Sequence, residues 1–181
     1  MGLSLLVEAG VAVVLHLRQR ELLFIVRAER AGDPWSGDVA FPGGVQQLGD
    51  SDAIAPAGRF IPPSMATAIR EAREEVGLAL EPAQHRGSLA PLWAPRHHRP
   101  LPLRIVPHVF AIEGPYPALT LGPEVAAVHW ISLDHFEAPP ERLERRLLGL
   151  RLSFRCHRIQ GLTIWGLTLS MIERLLRSRL V

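Results

Sequence analysis

At 181 residues and 48% apolar content, the chain is long enough for one compact domain with a sizeable core and short for two. Formal net charge is +2 and the basic residues are all arginine, spread along the chain with a modest cluster at Arg142, Arg145, Arg146, Arg151, Arg155 and Arg158; a nucleic-acid-binding stripe would be denser. The lone Cys156 excludes an internal disulfide and a thiolate metal cluster, and without an apolar run near ~20 residues or a basic-then-apolar leader, membrane insertion and secretion are not expected, which leaves the cytoplasm.

Gly10 to Leu17 is apolar and valine-rich, Leu22 to Val26 is a second such run, and the polar stretch from Arg18 to Glu21 links them as a hairpin. Arg27 to Asp38 reads as a charged loop holding Pro34, Trp35 and Gly37, of a length that often carries function. It leads through Val39 to Phe41 into Pro42, Gly43 and Gly44, where adjacent glycines let the backbone take positive φ and approach a ligand closely. Met65 to Val76 reads as a helix, capped by Ser64, ended by Gly77, and apolar along Met65, Ala68, Ile69 and Ala72. On it, Glu71, Glu74 and Glu75 lie three and four positions apart and share a face. Carboxylates crowded in this way either hold divalent cations or form a solvated acidic face, and the spacing alone leaves both readings open.

Downstream, Gly87 to Leu92, Ile105 to Ile112 and Val125 to Ile131 read as strands, separated by segments rich in Pro, Gly and His of which Ala94 to Pro102 is the longest. A strand pair at Leu150 to Phe154 and Arg158 to Ile164 precedes a closing helix, Gly166 to Leu180, with Leu169, Ile172, Leu175 and Leu176 on its apolar side. Strands on both sides of the acidic helix and an amphipathic helix at the end predict an α/β fold with helices on the faces of a mixed sheet.

The two glycines and the acidic helix together resemble the Nudix hydrolase signature, G-x5-E-x7-R-E-U-x-E-E-x-G-U, with U aliphatic. Arg70, Glu71, Ala72, Glu74, Glu75, Gly77 and Leu78 match its second half position for position. The first half departs: counting from Gly44 the acid is Asp50, and 19 residues, Ser51 to Ile69, stand where the pattern has seven. The surplus reads as an inserted surface loop at about residues 53–64, and leaves open whether Asp50 still meets Arg70. Further stretches resemble the coenzyme A diphosphatase branch in the same order: Asp33 to Gly44, Ile105-Val106-Pro107, Glu124-Val125-Ala126 before Trp130, and Ile164 to Thr168. The likeness runs from about Val11 to Leu176 within one domain, residues 1–181, although the branch's upstream serine is missing and Gln47 stands where an acid is common.

This resemblance implies an α/β/α sandwich with a mixed sheet, and hydrolysis of a diphosphate linkage in a small-molecule nucleotide, coenzyme A or its derivatives first. Rival substrates are ADP-ribose, NADH or a nucleoside triphosphate, and a rival class is a nucleotide-binding module that has lost catalysis. It implies Mg²⁺ or Mn²⁺ held by Glu71, Glu74 and Glu75 with the Gly44 carbonyl as a further ligand, and Glu71 or Glu124 as general base. Arg70 is expected to orient a carboxylate through a bidentate contact. Arg27, Trp35, Gly43 and Gly44 are the substrate-binding candidates, with Trp35 equally suited to stacking on a base or anchoring its loop. His97 and His98 read as a solvated loop, Trp130 and Trp165 as core, and Cys156 as an idle thiol. No nucleic-acid or membrane partner is expected, and a homodimer is compatible with the sequence.

Overall fold

The computed structural model describes residues 7–33, 35–52, 54–55, 59–95, 102–147 and 150–181. Its central strand is β1 (Val7–His16), buried along almost its whole length, which is why the sequence there is a continuous apolar run with little alternation. β1 pairs antiparallel with β2 (Glu21–Arg27) only near the hairpin turn, at Leu15 with Leu22 and His16 with Glu21. Beyond that point the two strands part. The segment from Val39 to Val45 fills the opening, β3 (Val39–Ala40) pairing with β2 and β4 (Gly43–Val45) with β1. At its apex Pro42, which has no N–H to leave unpaired, accepts a bond from the Ala12 N–H at 2.8 Å.

A two-stranded piece, β5 (Ile54–Ala55) and β6 (Arg59–Phe60), follows a 3₁₀ turn at Leu48–Asp52 and precedes α1 (Pro63–Val76). The described residues of the expected insertion thus include a paired strand segment, and the insertion ends at Pro62, because Pro63 already opens the helix. Next come β7 (His85–Ser88), β8 (Leu92–Ala94), β9 (Leu103–Ile112) and β10 (Val125–Ser132), so the single run expected from Gly87 to Leu92 is two short strands. β9 lies parallel to β1 along ten paired residues, and the main sheet runs β10-β2-β1-β9-β7, with β3, β4 and β8 attached to its members. Its mixed character matches the sequence expectation.

α1 covers one face, where Met65, Ala68, Ala72 and Val76 pack on Ala12, Val14, Leu23, Ile25 and Phe110. α2 (Gly166–Leu176) covers the other, with Leu169, Ile172 and Leu175 against Val13, Leu15, Phe24 and Val109. The result is an α/β/α sandwich. Flanking it is a second antiparallel sheet, β11 (Glu141–Leu147), β12 (Leu150–Ile159) and β13 (Leu162–Trp165). β11 escapes sequence reading because Leu143 and Leu147 are four apart, a helical spacing among charges. α2 stops at Leu176, short of Leu180. Cys156 and Trp165 are buried as expected, whereas Trp130 is only half-buried. Pro34, His97 and His98 lie outside the described residues. Among those described, no helix is long and apolar enough to cross a membrane.

Candidate active site

α1 is seated directly on the backbone of β1. A Cβ at Gly10 would lie 1.8 Å from the Ser64 carbonyl oxygen, so only glycine lets the first helical turn approach this closely. Ser64 is not the expected cap: Pro62 holds that position without a side-chain bond, and Ser64 sits inside the helix with its hydroxyl 3.1 Å from Nε2 of buried His108. Gly77 ends the helix in the left-handed conformation at φ 69°, as expected. The chain returns to that end of α1, where the Thr120 N–H bonds the Val76 carbonyl and the Gly122 N–H bonds that of Glu75, at 3.0 and 2.8 Å. This return brings Glu124 to the acidic helix.

Arg70 is the hub on the outer side. Its Nε and a terminal nitrogen donate to the two oxygens of Asp50, at 3.0 and 3.2 Å, a bidentate fork. The other terminal nitrogen donates to Glu71 Oε1 at 2.8 Å and Glu74 Oε2 at 2.9 Å. Asp50 is therefore the partner of Arg70 in spite of the lengthened gap, because the 3₁₀ turn that carries it packs on α1. Asp50 also accepts from the Gln47 N–H and the Thr67 hydroxyl, both at 2.8 Å. Burial raises its carboxyl, but Arg70 and these two donors outweigh burial and hold it below the usual range.

On the inner side, Glu75 is buried and takes a bond from the Gly43 N–H at 3.0 Å. Burial, reinforced by the negative charges of Glu71 and Glu124 and opposed by the Gly43 bond and Arg27, pushes its carboxyl up to about 7. Burial likewise raises Glu71, against the pull of Arg70. Gly43 and Gly44 do not take positive φ; they run extended in β4, opposite Val11 and Gly10. What the site requires of Gly44 is size. A Cβ there would fall 2.2 Å from Glu71 Oε1, so the missing side chain is the space the carboxylate occupies.

The remaining candidates border this group. Glu124 is half-exposed and pairs with Arg30 at 3.1 Å. Arg27 pairs with Asp33 at 2.8 Å, while its Nε is buried without a hydrogen-bond partner among the described residues. Trp35 leans on Trp165 with ring centroids 6.1 Å apart and remains 40% exposed, so it both anchors its loop and keeps a free face. Sequence reading missed the cluster beside it: Asp38 accepts from the Trp165 indole and from Arg145, each at 3.1 Å, and the Arg145 guanidinium lies 4.6 Å from the Trp165 ring centre.

Among the described residues no three acidic, cysteine or histidine side chains already surround one point, since Arg70 stands between Glu71 and Glu74 and Glu75 faces Gly43. The donor set nevertheless suits a hard divalent cation. It is all oxygen, and the burial that raises Glu71 and Glu75 marks negative charge short of positive compensation.

A search against protein-family models finds no match. Among solved structures, the NUDIX domain of Shewanella oneidensis NrtR, complexed with ADP ribose, superposes over 100% of this chain and 91% of its own at a TM-score of 0.58 with 17% identity. The fold is a Nudix fold. A bifunctional NMN adenylyltransferase/ADP ribose pyrophosphatase from Francisella tularensis, complexed with AMP and a Mn ion, shares the Nudix fold with 74% of this chain and 36% of its own, at a TM-score of 0.50 and 19% identity. In sequence, the human mitochondrial coenzyme A diphosphatase NUDT8 is 33% identical over 117 residues, 63% of this chain. The chain spans 42% of that protein's length, and the likeness supports a resemblance to the coenzyme A diphosphatase branch of the Nudix hydrolases.

Proposed function

We propose that this chain is a metal-dependent Nudix diphosphatase that splits coenzyme A or its derivatives into 3′,5′-ADP and 4′-phosphopantetheine, acting in the cytoplasm. The observation that carries the reading is the fit of the Glu71 carboxylate into the Cβ-less space at Gly44, beside buried Glu75. The NUDT8 likeness supports the choice of substrate.

Glu71, Glu74 and Glu75, with the Gly44 carbonyl, would hold Mg²⁺ or Mn²⁺. Such an ion supplies charge neutralisation for the diphosphate and lowers the pKa of bound water. The chain's own residues do the positioning. Arg70, fixed by the fork to Asp50, holds α1 in register with the turn at Leu48–Asp52. Arg27, whose charge acts on Glu75, would meet a substrate phosphate through its guanidinium. The free face of Trp35 is offered to the base. Two carboxylates can take the proton from the attacking water: Glu71, raised by its burial, and Glu124, reachable from solvent.

Purified protein with Mg²⁺ or Mn²⁺ is expected to convert coenzyme A to the two products, read by mass spectrometry against ADP-ribose, NADH and nucleoside triphosphates. Faster turnover of one of those would reassign the substrate. A second reading, a nucleotide-binding module without catalysis, draws on the Arg70 contacts to Glu71 and Glu74. Calorimetric nucleotide binding with no hydrolysis over hours in Mn²⁺ would favour it.

A further inference from the structure

Two histidines and a serine that the diphosphatase chemistry does not use meet at the edge strand of the main sheet. Ser88 on β7 is the direct cross-strand partner of His108 on β9, and His85 stands opposite Phe110. His108 and Phe110, two apart on β9, point to one face, the one that α1 covers. In a regular strand His85 and Ser88, three apart, would point to opposite faces. A register shift between His85 and Gly87 absorbs one residue and turns both side chains toward His108. Gly87 takes φ 152° at this shift, a conformation that residues with a Cβ rarely adopt.

The bulge sets three atoms in a triangle. His108 Nδ1 lies 3.0 Å from Ser88 Oγ and 3.3 Å from His85 Nε2, and the side from Ser88 Oγ to His85 Nε2 measures 3.5 Å. Two nitrogens each ~2.05 Å from a tetrahedral ion stand about 3.3 Å apart, so the triangle has the size of one face of a coordination tetrahedron. The other nitrogen of His108 is 3.1 Å from the Ser64 hydroxyl, a contact of the kind that fixes the ring of a metal-bound histidine. Burial lowers His85 and holds His108 at about 4, so both rings are neutral at pH 7, the form that ligates a metal. No third histidine, cysteine or carboxylate joins them among the described residues, but Ser88 is exposed and water reaches the group from that side.

We propose that His85 Nε2, His108 Nδ1 and Ser88 Oγ form a metal site of their own, for a divalent ion of the zinc, nickel or copper class, with water as the remaining ligand. Donor chemistry sorts it from the carboxylates of α1, since imidazole suits these ions and an all-oxygen set suits magnesium and manganese. Position does so as well: Ser64, which touches His108, and Glu71 are seven residues apart on α1, about 10 Å at ~1.5 Å per residue. Without the ion, one proton lies between the two facing nitrogens. With it, both present lone pairs, and the ring that held that proton carries it on its other nitrogen, so no net proton is released. The site stands whether or not the chain hydrolyses diphosphates.

The test is calorimetric titration of the full chain with Zn²⁺ in excess Mg²⁺, which occupies the carboxylates, in a His97→Gln/His98→Gln background that removes the adjacent histidine pair. One equivalent of Zn²⁺ is expected to bind and to raise the melting temperature. His85→Gln, at a half-buried position, should weaken binding at least tenfold and abolish the thermal shift while melting like its parent in chelator. Ser88→Ala, at the surface, should weaken binding by a smaller factor. Electron paramagnetic resonance of the protein loaded with one equivalent of Cu²⁺ should show coupling to two ring nitrogens, falling to one in His85→Gln. Absence of a Zn²⁺ equivalent in Mg²⁺, an affinity that His85→Gln leaves unchanged, or a Cu²⁺ spectrum without two-nitrogen coupling would overturn the site and leave the three residues as a hydrogen-bonded cluster.

Discussion

Glu75 combines two demands that a substitution can separate. Its bond from the Gly43 N–H needs only an oxygen acceptor, which glutamine also provides, while its negative charge is held under burial at a cost to the fold. Glu75→Gln is therefore expected to melt at or above the wild-type temperature and to lose at least a hundredfold in coenzyme A turnover; full activity in this variant would end the assignment of Glu75 to metal binding. Asp50 predicts the reverse pattern. It is buried, and its removal leaves the Arg70 Nε without its acceptor and takes one of two from the Thr67 hydroxyl, which keeps the Pro63 carbonyl at 3.0 Å, so Asp50→Ala should lower stability by about 2 kcal/mol in urea titrations and reduce turnover with it. The local run of Arg70, Glu71, Glu74 and Glu75 could be read directly from the chain, because a helix converts a spacing of three or four into a shared face. The Arg70–Asp50 contact could not, since it depends on how 19 intervening residues return to the helix.

Elements meet in this protein at glycines, and the two closest contacts differ in what can yield. At Gly44 the obstacle to a Cβ is the end of a side chain, Glu71 Oε1; at Gly10 it is backbone, the Ser64 carbonyl oxygen. Gly44→Ala is expected to fold with a loss of about 1–3 kcal/mol and at least tenfold lower activity, whereas Gly10→Ala should prevent α1 from docking and give little soluble protein. Comparing the thermal melts and turnover of the pair checks both. The reason glycine stands at positions 43 and 44 was misjudged from sequence: conformational freedom is the usual motive, but here the backbone is extended and the motive is room. The hairpin, α1 and β9 were legible because their periodicity or apolar runs are strong, while β11, charged and with leucines at a helical interval, was not.

Burial also sets how the protein as a unit responds to acid. His108 lies between Ser64, Ser88 and His85, and burial, with the neighbouring His85 charge, lowers its pKa to about 4 from 6.5. Below 6.5 the unfolded chain takes up a proton here that the native state refuses, so stability is full above pH 6.5 and falls as pH drops toward 4. Glu75 contributes the opposite slope, losing stability as pH rises from the ordinary carboxylate range through about 7. In a comparison of wild type with His108→Gln the Glu75 slope cancels, and between pH 7 and pH 5 the wild type should lose about 2 kcal/mol more than the variant in urea unfolding. Equal losses would show that His108 titrates normally in the native state. The mixed sheet was foreseeable from the order of strands and helices, but the pairing of β1 with β9 was not, because nothing local links residues about ninety-six positions apart in the chain. That parallel pairing carries one more consequence. Glu71, Glu74 and Glu75 come together on α1 and meet Gly43–Gly44 through β4 on β1, but Glu124 is held beside them only where the chain leaves β9 and pairs with β2 at Val125, so the full set of carboxylates is not assembled in a nascent chain that stops short of β10. Ribosome-stalled or truncated fragments ending before Val125 should be inert toward diphosphates even where the signature helix is complete.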